Sequence, residues 1–169
     1  EKAYQKALRA LLKEGCALIC PTVITAAPEQ ILKRCKEISS FLQRNPLAKK
    51  MTQGIHIEGP FISPKDGACG AHDKRYIRPP DFDMFKRWYD AAEGNISALT
   101  LSPEWDADTY SFISKVSELG VVVSIGHTMA GEEQIAEAVA SGARLVTHFG
   151  NGVPVTLPRH PNFLWEQLS

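Results

Sequence analysis

The chain has 169 residues, 44% of them hydrophobic and 22% charged, and its nineteen Lys and Arg balance nineteen Asp and Glu. That composition excludes a disordered or low-complexity chain, and the zero net charge leaves no electrostatic footprint for nucleic acid or anionic lipid. The longest uncharged apolar runs, such as residues 16–20 and 121–125, fall far short of the roughly 20 residues a membrane helix takes, and residues 1–4 do not read as a signal peptide.

In chain order, residues 2–14 place Tyr4, Leu8, Leu11 and Leu12 at helical spacing, and Gly15 stops the helix. Residues 17–24 read as a buried strand. Pro28 and Glu29 open a second helix, with proline suited to the first helical position. Its core stripe is Ile31, Leu32, Cys35, Ile38, Phe41 and Leu42, and Asn45-Pro46 ends it. Residues 53–58 form the next strand, and a Gly/Pro-rich stretch covers 59–80. Asp81 caps a third helix bearing Phe82, Phe85, Trp88, Tyr89 and Ala92, which Gly94-Asn95 terminates. A strand at 97–101, a helix from the Asp106 cap to Gly120, a strand at 121–126, a helix at 132–141 and a strand at 144–149 follow. A second Gly/Pro-rich loop spans 150–163, and 163–169 opens a further element. The four cysteines, Cys16, Cys20, Cys35 and Cys69, fit neither a zinc ribbon nor a disulfide framework. Three lie in apolar runs and read as small core residues, so a reducing, cytoplasmic setting is expected.

Five strands, each separated from the next by a helical pattern, predict an α/β fold with a parallel sheet. Their continuous hydrophobicity predicts that both faces are covered. A doubly wound sheet ordinarily carries a glycine-rich turn after its first strand. Here that turn is Thr25-Ala26-Ala27-Pro28, and no phosphate-cradling glycine pattern occurs anywhere. Glu58, Glu104, His127 and His148 fall instead at the C-terminal ends of successive strands, where a (β/α)8 barrel builds its site. A complete barrel takes typically ~250 residues, so residues 1–169 are expected to form a single partial TIM barrel of about five strands.

His56 and Glu58 are two apart on a strand and face the same side, with Glu58 nearer the C-terminal end. Gly126-His127-Thr128 and Thr147-His148-Phe149 each end an apolar strand with an imidazole. One carboxylate and two imidazoles from separate strands can converge on a divalent metal that keeps an open coordination position. A lone strand-end histidine is ordinarily a hydrogen-bonded structural residue, and three suitable groups together bring the ligand reading level with that one. His56 reads as a residue orienting Glu58 from behind. Glu104, after Ser102-Pro103, reads as the start of the following helix, where a carboxylate suits the dipole. His72 and His160 lie in the two long loops, within reach of a substrate or idle. The H-x-E of zinc nucleobase deaminases needs a following P-C-x-x-C, which is absent after Glu58.

Gly54-Ile55-His56-Ile57-Glu58-Gly59-Pro60-Phe61 resembles the G-x-H-x-E-G-P-F segment of N-acetylglucosamine-6-phosphate deacetylases. Gly70-Ala71-His72, Thr100-Leu101-Ser102-Pro103-Glu104, Ser124-Ile125-Gly126-His127-Thr128 with Ala130, and Gly142-Ala143 through Thr147-His148 are similar to the family's further segments, in the family's order. Cys20-Pro21-Thr22 with Thr25 is similar to its early P-T-x-x-T. The chain departs from the family pattern at Phe149, Gly150, Gly152 and Val153, at His160-Pro161-Asn162, and in the added Gly67-Ala68-Cys69.

The resemblance implies that Glu58, His127 and His148 bind one divalent metal, zinc first, with iron, manganese or cobalt as alternatives. It implies substrate contacts at Ala71, Asn151 and Gly152, and a sugar phosphate held by Arg159, a task suited to a guanidinium. His56 and His72 would support the site from behind the ligands. The implied partner is a small amino sugar phosphate, with a homodimer for the full-length protein and neither nucleic acid nor membrane. The family's small β domain and first barrel strand are expected before Glu1. A general-base Asp and a carbonyl-polarising His are expected after Ser169. The implied reaction is metal-assisted amide hydrolysis, in which a carboxylate takes a proton from water and returns it to the leaving amine. A deacetylase of a different N-acyl compound, a metal-free sugar-phosphate isomerase or aldolase barrel, and a non-catalytic binding fragment remain open alternatives.

Overall fold

The structure, a computed structural model, describes residues 2–151, 153–154 and 156–168. Helix α1 (Lys2–Lys13) leads to strand β1 (Thr22–Ile24), followed by α2 (Pro28–Arg44) and α3 (Pro46–Met51). The units β2 (Ile55–Glu58) with α4 (Phe82–Ala91), β3 (Ile96–Leu101) with α5 (Asp108–Glu118), and β4 (Val122–Ile125) with α6 (Glu132–Ala140) follow. Strand β5 (Ala143–Val146) and a short α7 (Phe163–Glu166) complete the described elements. The five strands form one parallel sheet in sequential order, β1-β2-β3-β4-β5. Sequential parallel order with crossover helices is the arrangement of a barrel segment rather than of a doubly wound sheet, whose order reverses at a switch point.

Register sorts the side chains by face. Val23, Ile57, Leu99 and Val123 lie in one row. With Ile55, Leu101 and Ile125 they bury against Ile31, Cys35, Phe85, Trp88, Phe112 and Ile113 of the helices, forming the main core. The opposite face carries Thr22, His56, Glu58, Thr100 and Ser124, so it is polar where the central strands cross it. Coverage of both faces, expected from the continuous hydrophobicity, is therefore not what the structure shows. Ile24, Val122 and Leu145 are exposed on this second face.

Two element boundaries differ from expectation. Only residues 22–24 of the predicted first strand join the ladder, because Pro21 has no N–H to donate. Ile19 makes a single parallel bridge to Thr52. Asn45-Pro46 does end α2, but it also starts α3: Asn45 Oδ1 accepts the Ala48 N–H at 2.9 Å and Pro46 occupies the first turn. Helix α3 and α1 close a second cluster of Leu8, Phe41, Leu42, Ala48 and Met51. All four cysteines are free, and only Cys35 and Cys69 are buried, so the core reading fails for Cys20, which is exposed. Burial pushes the Cys35 thiol up to about 12. Among the described residues no helix is long and apolar enough to cross a membrane.

Candidate metal centre

Three of the predicted groups converge. Glu58 is the last residue of β2, and His127 and His148 each stand two residues beyond the ends of β4 and β5. Glu58 Oε1 lies 2.9 Å from His127 Nε2 and 2.7 Å from His148 Nε2. One ligand atom from each of the three residues falls within 4.8 Å of the others. Donors bound at 2.0–2.2 Å around a tetrahedral zinc sit about 3.3 Å apart, so an opening of a few tenths of an ångström fits this set around one ion. Glu58 and His127 are buried, while the His148 side chain is 47% exposed and leaves the centre open on that side.

Both histidines reach the centre through backbone in the left-handed region, with φ of 52° at His127 and 54° at His148. Such residues cost about 1–3 kcal/mol each and persist where the surroundings over-determine them. The surroundings here belong to the loop at 59–80. His127 Nδ1 donates to the Ala68 carbonyl at 2.8 Å, which fixes the tautomer and turns Nε2 toward Glu58. Ser63 N–H donates to the His127 carbonyl at 3.0 Å. A Cβ on Gly70 would stand 3.2 Å from His127 Cε1, so the loop backbone packs directly on the ring. This wall is anchored: Phe61, Ile62, Ser63 and Ala68 are wholly buried.

His72 comes closer than a supporting residue at a distance. Its ring meets that of His127 edge-on at 4.5 Å, and its Nε2 is 3.9 Å from Glu58 Oε1. The Thr25 hydroxyl donates to the Glu58 carbonyl at 3.4 Å, so it accepts from His72 Nδ1 at 2.7 Å and leaves Nε2 facing the centre. His56, by contrast, makes no hydrogen bond to Glu58 among those described. It joins a hydroxyl chain beneath the centre: Nδ1 to Thr22 at 3.3 Å, Nε2 to Thr100 at 2.7 Å, then Thr100 to Thr147 at 2.7 Å and Thr147 to Ser124 at 2.6 Å. The expectation that His56 orients Glu58 is corrected accordingly: two residues apart on one strand they share a face, but the hydroxyls opposite satisfy the imidazole first.

Electrostatics follow from the same contacts. The His127 hydrogen bond, then the nearby His72 imidazole, hold the Glu58 carboxyl far below the carboxylate range against the opposing effect of burial. Burial opposes charge on His127, yet the hydrogen bonds to Glu58 and Ala68 outweigh it and raise its pKa. Burial lowers the pKa of His56, with the Glu58 charge working against it.

Of the expected substrate contacts, Ala71 and Asn151 line a cavity of about 320 Å³ together with His127, His148, Gly70 and Val153. Gly152 lies outside the described residues. Arg159 is exposed on the loop after β5 and is not among the residues lining that cavity. His160 is also exposed and packs against Trp165, with ring centroids 5.4 Å apart. Glu104 does not begin α5. Its Oε2 accepts from the Thr128 hydroxyl and from the Met129 N–H. Periodicity and motif reading assigned no role to Thr25, Thr128 or Thr147; the threonines of the early P-T-x-x-T pattern were the available signal.

A parallel, sequentially ordered β/α segment with a carboxylate and two imidazoles gathered at its C-terminal strand ends is the arrangement a (β/α)8 barrel uses at its active-site face. No protein-family model matches it. The chain is 33% identical over 162 residues to N-acetylglucosamine-6-phosphate deacetylase of Bacillus subtilis, covering 94% of this chain and 40% of the relative. It is 34% identical over 154 residues to the same enzyme of Danio rerio, covering 89% and 36%. The crystal structure of the Mycobacterium smegmatis deacetylase matches with a TM-score of 0.78 and 30% identity, over 89% of this chain and 38% of that one. A variant of that protein was solved in complex with N-acetyl-D-glucosamine-6-phosphate. In sequence and fold the chain is similar to N-acetylglucosamine-6-phosphate deacetylases, and it spans about two fifths of the length of the curated relatives it matches.

Proposed function

We propose that this chain supplies the metal-binding half of the active site of a deacetylase that hydrolyses N-acetylglucosamine 6-phosphate to glucosamine 6-phosphate and acetate. The observation that carries the reading is the convergence of Glu58 Oε1, His127 Nε2 and His148 Nε2. The relatives support it, and the Mycobacterium smegmatis complex supports the substrate.

Glu58, His127 and His148 would hold one divalent ion, zinc first, because two imidazoles and a carboxylate with an open position suit it. Iron, manganese and cobalt are the alternatives. Such an ion, when bound, supplies Lewis acidity at the amide carbonyl and acidifies water. The chain's own residues do the rest. Ala68 keeps His127 in the tautomer that offers Nε2, the 59–80 loop excludes water from the Glu58 side, and Ala71, Asn151 and Gly152 contact the sugar. Arg159 binds the phosphate from the loop after β5. The proton moved from water to the leaving amine requires a carboxylate other than Glu58, whose oxygen is engaged by imidazoles; we assign it to an aspartate outside these 169 residues. The full-length protein is read as a cytoplasmic homodimer with a separate small β domain. A metal-free isomerase or aldolase is disfavoured because, among the described residues, no lysine lines the cavity at the strand ends.

The test is acetate release from N-acetylglucosamine 6-phosphate by the full-length protein. Activity should vanish on chelation and on Glu58→Gln, and return to the chelated wild type with added zinc. A metal-replete protein that releases no acetate from this substrate refutes the reading.

A further inference from the structure

The segment Thr100-Leu101-Ser102-Pro103-Glu104 ends β3 and contributes nothing to the ligand set. Glu104 reaches across to the turn after β4. Its Oε2 accepts the Met129 N–H at 2.6 Å and the Thr128 hydroxyl, from the two residues that directly follow His127. The Thr128 hydroxyl is used fully, since it also accepts from Ser102 Oγ at 3.3 Å and from the Ala130 N–H at 3.0 Å. Glu104 Oε1 is buried with no hydrogen-bond partner among the described residues. A half-satisfied buried carboxylate is costly, and what Glu104 makes against that cost is the two bonds on Oε2. Those bonds hold the chain where it leaves the left-handed His127, between β4 and α6.

We propose that Glu104 is a positioning residue for the metal centre: by clamping Thr128 and Met129 it holds His127 in the reversed conformation that aims Nε2 at Glu58. The proposal rests on the metal-site reading above. It extends the grip on His127, which the 59–80 loop supplies from one side through Ala68 and Ser63, to the β3 side.

The test strips the full-length protein of metal and titrates it with cobalt(II), reading affinity from the visible absorption and folding from a denaturant midpoint. Glu104→Ala should weaken cobalt binding about ten- to a hundredfold and change the absorption, the range seen when a residue behind a metal ligand is lost. Glu104→Gln, whose amide oxygen accepts the same two protons, should recover most of that affinity. Folded Glu104→Ala with wild-type affinity and spectrum overturns the proposal, and so does Glu104→Gln that is no better than Glu104→Ala. If Glu104→Ala does not fold, Thr128→Val decides: it removes one of the two donors, and wild-type cobalt affinity in it overturns the clamp, while a severalfold loss supports it. A wild-type protein that binds no cobalt overturns the metal centre and this proposal with it.

Discussion

Gly126 tests the packing that holds the two imidazoles together. It precedes His127, and a Cβ there would stand 2.8 Å from Thr147 Cβ, 2.9 Å from the Thr147 carbonyl oxygen and 3.0 Å from Thr100 Cγ2. The first two atoms belong to the β5 backbone or are fixed to it, and Thr100 is tied by hydrogen bonds to His56 and Thr147. No rotamer change relieves the clash, so Gly126→Ala must push the ends of β4 and β5 apart against the bond from Thr147 N–H to Ile125, while the bond from Gly126 N–H to Leu101 ties this end to β3. Overpacking of this kind costs about 1–3 kcal/mol. For a domain of this size that is a fall of roughly 2–4 °C in Tm per kcal/mol. The backbone at Gly126 is not in the left-handed region, so strain from φ does not contribute. Gly131→Ala is the control, with nothing within 4 Å of the added Cβ and φ of −86°, and should cost less than about 1 kcal/mol. Urea unfolding of the three proteins measures the difference. Gly126→Ala with wild-type stability and wild-type cobalt affinity would show that the strand ends are looser than these distances state.

Further outcomes follow from the site and the core. Protons compete with metal at His127, whose pKa is raised, so cobalt affinity should fall steeply as pH drops below that value, by at most about tenfold per pH unit for one proton. In the metal-free protein the signs separate. Glu58, with its pKa depressed, stabilises above the ordinary carboxylate range and loses that contribution as pH falls. His127 stabilises below about 6.5, the ordinary imidazole value, and loses its contribution as pH rises through its raised pKa. Stability of the metal-free protein relative to His127→Gln should therefore decline from pH 6 to 8, and a rise over that window would contradict the Glu58–His127 pairing. Trp88→Ala should destabilise by about 3–5 kcal/mol, since Trp88 is 1% exposed, stacks on Phe61 of the active-site loop and donates to the Pro28 carbonyl. In the full-length protein, Arg159→Ala should lower kcat/KM about ten- to a hundredfold for a phosphorylated substrate, equivalent to roughly 1.5–3 kcal/mol, and leave the unphosphorylated sugar unaffected. Equal losses on both would remove Arg159 from phosphate binding.

The order of elements was legible because each strand is an apolar run bounded by helix caps and glycines, and that signal depends only on local spacing. What was not legible depends on partners distant in sequence. Helix α3 follows from an Asn45 side chain turning back on Ala48, and the truncation of β1 from a single missing donor at Pro21. Apolar character in Ile24, Val122 and Leu145 does not reveal burial on the second sheet face, which depends on what packs over it. Glu104 was read against its nearest helix, whereas its partners lie 24 and 25 residues further along the chain.

At the centre, the convergence of the three side chains depends on backbone geometry that strand alternation does not describe. In register, Ser124 pairs with Thr100 and with Leu145, so alternation carries the row facing Glu58 on to Gly126 and Thr147, one residue beyond the ends of β4 and β5. Had the strands run straight on, alternation would have sent His127 and His148 to the opposite face, with Ile125 and Val146. The ladder instead breaks at Ile125 and Val146, and the left-handed turn at each histidine swings its ring back across the strand end. Gly126 and Thr147 remain on the Glu58 face and pack against each other there, which is why that glycine admits no side chain. The strand-end imidazoles are thus placed by backbone reversal, with Ala68 and Ser63 bonded to His127 and Glu104 to the two residues after it, and the Glu58 carboxylate is placed by alternation alone.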